Sequence, residues 1–161
     1  NKLIESLNHL AEAYKFPIIF STHPRTKKVI EKRKPNLNKL IKLIEPLGFI
    51  DYNNLQINSK ATLSDSGTIS EESSILNFPG LNLRETHERH EAMEEGAVMM
   101  TGLNIENITN ALKILENQKR GKERSIKIPE DYNANNVSEK VSRILLSYID
   151  YINRKTWLKD Y

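Results

Sequence analysis

The sequence predicts an α/β fold in which helices cover both faces of a doubly wound parallel sheet. Short apolar runs alternate with helical patterns across about five strands, which is the order that βαβ units produce. The runs are compact and largely apolar, as is typical of parallel strands buried on both faces. We therefore expect a layered α/β domain.

The first half of the chain alternates helix and strand three times. Residues 2–15 place apolar side chains at i, i+3, i+4 and i+7 spacing, which predicts an amphipathic helix. The apolar run at 16–20 predicts a strand that ends in the polar segment 21–26. The remaining patterns predict a short basic helix over 26–32, a loop over 35–38, a strand over 41–44, a helix over 51–58 and a strand over 61–63.

The second half continues the alternation to a long final helix. The patterns predict a helix over 69–77, a strand over 80–83, a charged loop over 84–91, a strand over 97–100 and a helix over 105–118. Asn104 suits the N-cap of that helix. Residues 119–131 are polar and indicate a loop or linker rather than a domain boundary, and 137–158 predict the last helix. Since crossovers between parallel strands are right-handed, the layers should be Rossmann-like and form a single domain.

Composition argues against a nucleic-acid-binding protein, a membrane-spanning protein and a disulfide-bonded protein. At 161 residues and 38% hydrophobic content, the chain can bury the core of one domain. Lys and Arg number 24 against 21 Asp and Glu, a surplus too small to indicate nucleic acid binding. No cysteine is present, and no apolar run approaches the ~20 residues of a membrane span, so we expect a cytoplasmic protein without disulfides. The chain begins at Asn1 inside a helical pattern, which indicates a piece of a longer polypeptide.

The turn at residues 64–68 is the main candidate for ligand binding. It joins a strand to a helix N-terminus, where unpaired N–H groups and the helix dipole favour a phosphate. Gly67 would let a ligand approach the backbone, and Ser66 and Thr68 add hydroxyl donors. Glu71 and Glu72 follow and could accept hydrogen bonds from sugar hydroxyls. A nucleotide-sugar site fits this pattern, and so does an ordinary βα turn that only caps a helix.

Histidines supply two further candidates. His23 follows a buried strand, at the sheet edge where open α/β folds bind ligands, although this position also suits a hydrogen-bonded loop residue. His87 and His90 lie among acidic residues and suggest a metal site. Their spacing is three, whereas HExxH sites space their histidines four apart, and no third ligand stands out. We therefore expect no metal site.

The motifs together resemble a known family. His23, the run SDSGTISEE at 64–72, Phe78-Pro79, and RETHER at 84–89 followed by Glu91 and Gly96 resemble the non-hydrolysing UDP-N-acetylglucosamine 2-epimerases. Within that family the chain is most similar to the branch that forms UDP-N-acetyl-L-fucosamine for capsule or O-antigen. The resemblance extends from His23 to the final helix.

The resemblance implies a role for this chain within a larger enzyme. The family has two Rossmann-like domains in a GT-B arrangement, with the active site between them, and this chain resembles the C-terminal domain. The last helix would then cross to the N-terminal domain. The full-length protein, with a UDP-sugar as substrate, could form a homodimer.

The resemblance also implies individual residue roles. His23 would be catalytic and reach the UDP, and Tyr52 would pack on the uracil. Ser66, Gly67 and Thr68 would bind the diphosphate, Glu72 would accept the ribose hydroxyls, and Arg89 would lie near the phosphates. Two residues depart from the family pattern: Thr68 replaces a glycine, and His90 stands where proline is usual.

The family mechanism, as the resemblance implies it, eliminates UDP to leave a 2-acetamidoglycal and adds it back with inverted C2. The scheme requires no metal or redox cofactor. Its acid–base carboxylates belong to the N-terminal domain, so we expect this chain to bind UDP weakly and to be inactive alone. The alternatives are the C-terminal domain of a GT-B glycosyltransferase and a non-enzymatic nucleotide-sugar-binding module.

Overall fold

The chain folds as alternating helices and short parallel strands in a computed structural model that describes residues 2–86 and 88–159. It divides into two units, Asn1–Pro129 and Glu130–Tyr161. The division falls inside the polar segment 119–131, which the sequence predicts as a loop or linker rather than a domain boundary.

The first unit carries the strands. Its elements are α1 (Lys2–Tyr14), β1 (Ile18–Ser21), α2 (Pro24–Arg33), β2 (Ile41–Ile44), α3 (Phe49–Asn58), β3 (Thr62–Ser64), α4 (Ile69–Leu76), β4 (Gly80–Asn82), α5 (His90–Glu94), β5 (Val98–Met100) and α6 (Ile105–Leu115). All paired strands are parallel, which confirms the α/β prediction. The strand β2 begins and ends where the sequence predicts it.

The strands form two parallel groups. β1 pairs with β2, and β4 lies between β3 and β5. The doubly wound prediction implied one continuous sheet, but in the described residues no ladder of backbone hydrogen bonds joins β1 to β3. Ile18 of β1 and Leu63 of β3 instead pack against the same core cluster.

Side chains that alternate along β4 and β5 bind helices on opposite faces of their sheet. Leu81 and its neighbour Met99 face a core built from α1 and α6. The members of that core are Leu10, Leu81, Ile108, Ala111, Leu112 and Leu115. Val98 points the other way, since successive side chains of a strand alternate, and packs with Ile69 of α4 and Phe78. This arrangement is the expected double winding.

The helix α4 lies unusually close to the sheet. A Cβ added at Gly80 would lie 3.1 Å from Cβ and Oγ of Ser73 on α4 and 3.3 Å from Val98 Cγ2. The Ser73 hydroxyl hydrogen-bonds with the backbone carbonyls of Phe78 at 2.7 Å and Ala97 at 3.1 Å. Because small residues let the helix and strand approach, these contacts fix α4 and hold its N-terminus at the carboxyl end of β3.

Most predicted elements match the structure to within two residues at each end, and three differ by more. The charged loop predicted over 84–91 ends in the helix α5, which has a single buried side chain, Ala92, and so no apolar periodicity to reveal it. The predicted helix over 105–118 ends at Leu115. The last helix ends at Lys155, before Leu158, which has a left-handed φ of 48°.

The second unit contains a short 3-10 turn, Glu130–Tyr132, and the helix α7, Val137–Lys155. The apolar side chains of α7 are exposed, among them Val141, Ile144, Leu145, Tyr148 and Ile149. Across the described ranges, no helix has the length and apolar character needed to cross a membrane.

Candidate functional site

The turn between β3 and α4 is shaped by its own hydroxyl groups. Ser64 Oγ accepts a hydrogen bond from the Ser66 amide at 3.0 Å, and Ser66 Oγ accepts one from the Thr68 amide at 3.3 Å. The hydroxyls of Ser66 and Thr68 lie 2.9 Å apart. Thr68 itself makes no side-chain capping bond. Ser66 therefore shapes the turn before the helix, and the exposed turn presents hydroxyls and the N-terminus of α4 to solvent.

The Arg89 side chain lies over this turn. A Cβ added at Gly67 would lie 3.7 Å from Arg89 Nη2 and 3.8 Å from Cζ. Arg89 Nε donates to Glu71 Oε1 of α4 at 2.6 Å, in an ion pair whose side chains are only 35% and 30% exposed. The helix N-terminus and the guanidinium thus place two sources of positive potential at Gly67, which suits an anionic ligand.

A second set of contacts joins α3 to Glu72 of α4, the residue after Glu71. Gln56 Nε2 donates to Glu72 Oε2 at 2.7 Å, and Gln56 is 3% exposed. Burial raises the pKa of the Tyr52 phenol, the charges of Glu72 and Asp65 raise it further, and hydrogen bonding to Gln56 partly offsets the rise. The Tyr52 hydroxyl is therefore a protonated donor at neutral pH, close to the Glu72 carboxylate.

The two adjacent glutamates have different partners. Glu71 pairs with Arg89, whereas Glu72 hydrogen-bonds to the neutral amide of Gln56 and forms no ion pair within the described residues. A carboxylate with a neutral partner keeps its charge and most of its acceptor capacity. Glu72 can therefore accept hydrogen bonds from ligand hydroxyls without breaking a salt bridge.

The structure brings six of the seven predicted site residues together. Tyr52, Ser66, Gly67, Thr68, Glu72 and Arg89 lie around the N-terminus of α4. The seventh, His23, is the exposed N-cap of α2, where its Nδ1 accepts from the Arg25 amide at 3.3 Å. In the described part of the chain, no hydrogen bond or ion pair connects His23 to the turn. Its predicted catalytic role stays a prediction.

The charged segment after β4 supplies Arg89 and little else to the turn. Arg84 pairs with Glu88 at 3.5 Å on the surface. His90 begins α5, a first helical position that also suits proline, so the departure from the family pattern is compatible with the helix. His87 lies outside the described residues. Among the residues that are described, no three histidine or acidic side chains converge as metal ligands would.

The sequence pattern does not identify two residues of this arrangement by their contacts. It predicts Glu71 only as a possible acceptor of sugar hydroxyls, whereas the structure pairs Glu71 with Arg89. It does not single out Gln56. One signal was available, because Gln56 follows Tyr52 by four residues and the two therefore share a face of α3.

Comparisons with known proteins agree with this picture. The family model described as UDP-N-acetylglucosamine 2-epimerase matches residues 1–146. The UDP-N-acetylglucosamine 2-epimerase of Methanocaldococcus jannaschii is 40% identical over 122 residues, covering 73% of this chain and 33% of that protein. The chain thus spans about a third of the length of this curated relative.

Solved structures show the same partial coverage. The UDP-N-acetylglucosamine 2-epimerase of Rickettsia bellii superimposes with a TM-score of 0.84 at 45% identity, over 98% of this chain and 43% of that one. The M. jannaschii enzyme in complex with UDP-GlcNAc and UDP superimposes with a TM-score of 0.79 at 37% identity, over 91% of this chain and 40% of that one.

Proposed function

The chain belongs to the UDP-N-acetylglucosamine 2-epimerase family, and we propose that it is the UDP-binding C-terminal part of an enzyme that inverts C2 of a UDP-N-acetylhexosamine. The observation that carries this proposal is the N-terminus of α4, where Arg89 lies over Gly67 and Glu72 stands one turn along the helix. In UDP the anionic diphosphate accepts hydrogen bonds, and the ribose hydroxyls next to it can donate them. Arg89 and the helix N-terminus suit the diphosphate, and the Glu72 carboxylate suits the ribose.

The diphosphate binds at the turn. The exposed hydroxyls of Ser66 and Thr68 and the first amides of α4 donate to the phosphate oxygens, and the Arg89 guanidinium covers them from the opposite side. The absence of a side chain at Gly67 leaves room for the phosphate between the backbone and Arg89.

The nucleoside extends from the turn toward α3. Glu72 accepts hydrogen bonds from the ribose hydroxyls, which a carboxylate can do with both oxygens. The half-buried ring of Tyr52, near Glu72, packs on the uracil. Both roles are consistent with a site that holds the UDP half of the substrate and leaves the sugar outside this chain.

This site assists the reaction by stabilising UDP as it leaves. Removal of the C2 proton and cleavage of the bond from C1 to the UDP oxygen give a 2-acetamidoglycal and free UDP. UDP then adds back at C1, and a proton returns to the opposite face of C2. Donors that tighten on the diphosphate as it gains charge lower the barrier to both steps. His23, at the end of β1, is proposed to reach the same leaving group.

The acid–base groups come from outside this chain, in the part of the relatives that it does not cover. We expect UDP binding but no turnover from these 161 residues alone. The enzyme-level assignments are parts of the same proposal: a UDP-N-acetylhexosamine substrate, a partner N-terminal domain, a homodimer and a role in surface-polysaccharide precursor synthesis. The most specific part of the proposal is that the full-length enzyme acts in the branch that forms UDP-N-acetyl-L-fucosamine.

The deciding experiment incubates the full-length polypeptide with UDP-N-acetylhexosamines in D₂O, with and without an acceptor sugar, and follows C2 by NMR. Inversion at C2 with deuterium incorporation is expected. Glycosyl transfer without inversion would identify a GT-B glycosyltransferase instead. Tight UDP binding with neither reaction would identify a binding module.

A further inference from the structure

We infer that Gln56 is a positioning residue that holds the Glu72 carboxylate in the orientation needed to accept ribose hydroxyls, and that it thereby sets the preference for a ribonucleotide over a deoxyribonucleotide. This inference rests on the proposed function, since it requires Glu72 to meet the ribose. Gln56 itself need not touch the ligand.

Gln56 is a polar side chain in a buried place. It is 3% exposed, its Nε2 donates to Glu72 at 2.7 Å, and its Oε1 is buried without a hydrogen-bond partner among the described residues. A buried amide with an unpaired oxygen destabilises a fold, and an apolar side chain of the same size would avoid that cost. The described interactions that compensate for this cost are the hydrogen bond to Glu72 and the one to Tyr52.

Glu72 needs an anchor that does not consume its charge. A glutamate side chain has three rotatable bonds, and fixing them on ligand binding costs free energy that an existing contact removes beforehand. Its neighbour Glu71 is fixed by an arginine, which would compete with a ligand donor. The amide of Gln56 fixes Oε2 of Glu72 through one hydrogen bond, and the remaining lone pairs of the two oxygens can accept from a ligand.

Tyr52 completes the arrangement from the same helix. It lies one turn before Gln56 on α3, and the Glu72 charge acts on its hydroxyl. Two polar side chains of α3 therefore face one carboxylate of α4. Of these two side chains, Gln56 holds the Glu72 carboxylate more specifically, because its amide is buried and donates a 2.7 Å hydrogen bond to Glu72.

The test compares the affinity for UDP with that for 2′-deoxy-UDP, because the proposed role concerns the preference for ribose over deoxyribose. Gln56→Met keeps the length of the side chain and removes the donor, and Gln118→Met makes the same change in a separate cavity lined by Asn77 and Arg124. Dissociation constants for UDP and 2′-deoxy-UDP are measured by calorimetry on the 161-residue chain. We expect wild type and Gln118→Met to favour UDP by about tenfold, the worth of one charge-assisted hydrogen bond, and Gln56→Met to lose most of this preference.

Affinity for 2′-deoxy-UDP should fall less than affinity for UDP in Gln56→Met, because the deoxy ligand has only its 3′-hydroxyl to donate to Glu72. Equal weakening of both ligands would indicate general loosening and overturn the positioning role. So would an unchanged preference in Gln56→Met and in Gln56→Glu, a second variant of native size that opposes Glu72 with another carboxylate. Failure of wild type to bind UDP would instead overturn the proposed function.

Discussion

Arg89 and Glu71 form an ion pair in which Nε of the guanidinium donates a 2.6 Å hydrogen bond to Oε1 of the carboxylate. Of the two terminal nitrogens of Arg89, Nη2 then lies beside Gly67 and Nη1 lies 4.0 Å from Glu88 Oε2. A fixed guanidinium has less rotational freedom to lose when it meets a phosphate. Glu71 thus orients the cation, while Glu72, the next residue, keeps its charge for a ligand.

The first prediction concerns Arg89. Arg89→Ala should weaken UDP binding by about 2 kcal/mol, the range of a charge-assisted hydrogen bond, and leave the affinity for uridine nearly unchanged. Calorimetric titration with both ligands measures the difference. Arg143→Ala, which removes a surface guanidinium paired with Glu139 on α7, is the matched control and should keep both affinities. A parallel loss for UDP and uridine in Arg89→Ala would place the arginine away from the phosphates.

The second prediction separates binding from stability at Gly67. An added Cβ would contact the Arg89 guanidinium at 3.7 Å, an ordinary van der Waals distance, so the free protein has room for alanine. Gly67→Ala should therefore change the free energy of unfolding by less than about 1 kcal/mol. It should nevertheless weaken UDP binding, because the methyl group occupies the space between the turn and Arg89.

Gly48→Ala is the matched control for Gly67→Ala, since no atom lies within 4 Å of an added Cβ there. Because Gly48 is the N-cap of α3, where alanine is less favourable than glycine, this variant should lose about 0.5–1 kcal/mol of stability and keep the UDP affinity of wild type. If Gly67→Ala binds UDP as tightly as Gly48→Ala does, the phosphate does not lie against this turn.

The third prediction is a titration of Tyr52. The Glu72 charge raises the pKa of the phenol, so Glu72→Gln should lower that pKa toward 10.0, the ordinary value for tyrosine. Asp65→Asn should lower it less, because the Asp65 charge has the smaller effect of the two. NMR of ¹³Cζ-labelled tyrosine across alkaline pH follows the ring directly. Identical titration in wild type and Glu72→Gln would contradict the proximity of Tyr52 and Glu72.

The same pKa shift predicts the direction of a stability change. Because the folded pKa of Tyr52 exceeds the unfolded value near 10.0, the unfolded chain loses its proton first as the pH rises. The contribution of Tyr52 to stability is therefore complete below that pH and decreases above it. The decrease should be smaller in Glu72→Gln.

Much of the fold follows from the sequence because the strands are local apolar runs. The range of β2 and the N-cap Asn104, which accepts from the Asn107 amide at 3.0 Å, match the prediction. The helix α5 does not, since a helix with a single buried alanine has no periodic signal. The separation of β1 from β3 depends on backbone hydrogen bonds across the sheet, which strand patterns do not encode.

The site was predictable where it is contiguous in sequence. The turn at 64–68 and Glu72 lie within one strand–turn–helix segment, so local pattern locates them. The contact between Gln56 and Glu72 joins two helices, and that between Arg89 and Glu71 spans 18 residues. Both depend on helix packing and side-chain rotamers, which spacing alone does not determine. Only the structure separates the roles of the two glutamates.

The fourth prediction concerns α7 in the second unit. Its apolar side chains are exposed, and Trp157, the single tryptophan of the sequence, is 62% exposed just after the helix ends. A long apolar stripe in water is typical of a binding surface. We propose that in the full-length polypeptide this stripe packs against the N-terminal domain, so that α7 connects the two halves of the enzyme.

Trp157 fluorescence tests this proposal directly. In the 161-residue chain we expect red-shifted emission that acrylamide quenches readily, and in the full-length polypeptide blue-shifted, protected emission. The urea-unfolded chain provides the fully exposed reference. Leu145→Ser, which makes the middle of the exposed stripe polar, should restore quenching in the full-length protein while leaving the isolated chain unchanged. Protected emission in both proteins would show that Trp157 is buried without the rest of the polypeptide, and the interdomain role of α7 would fall.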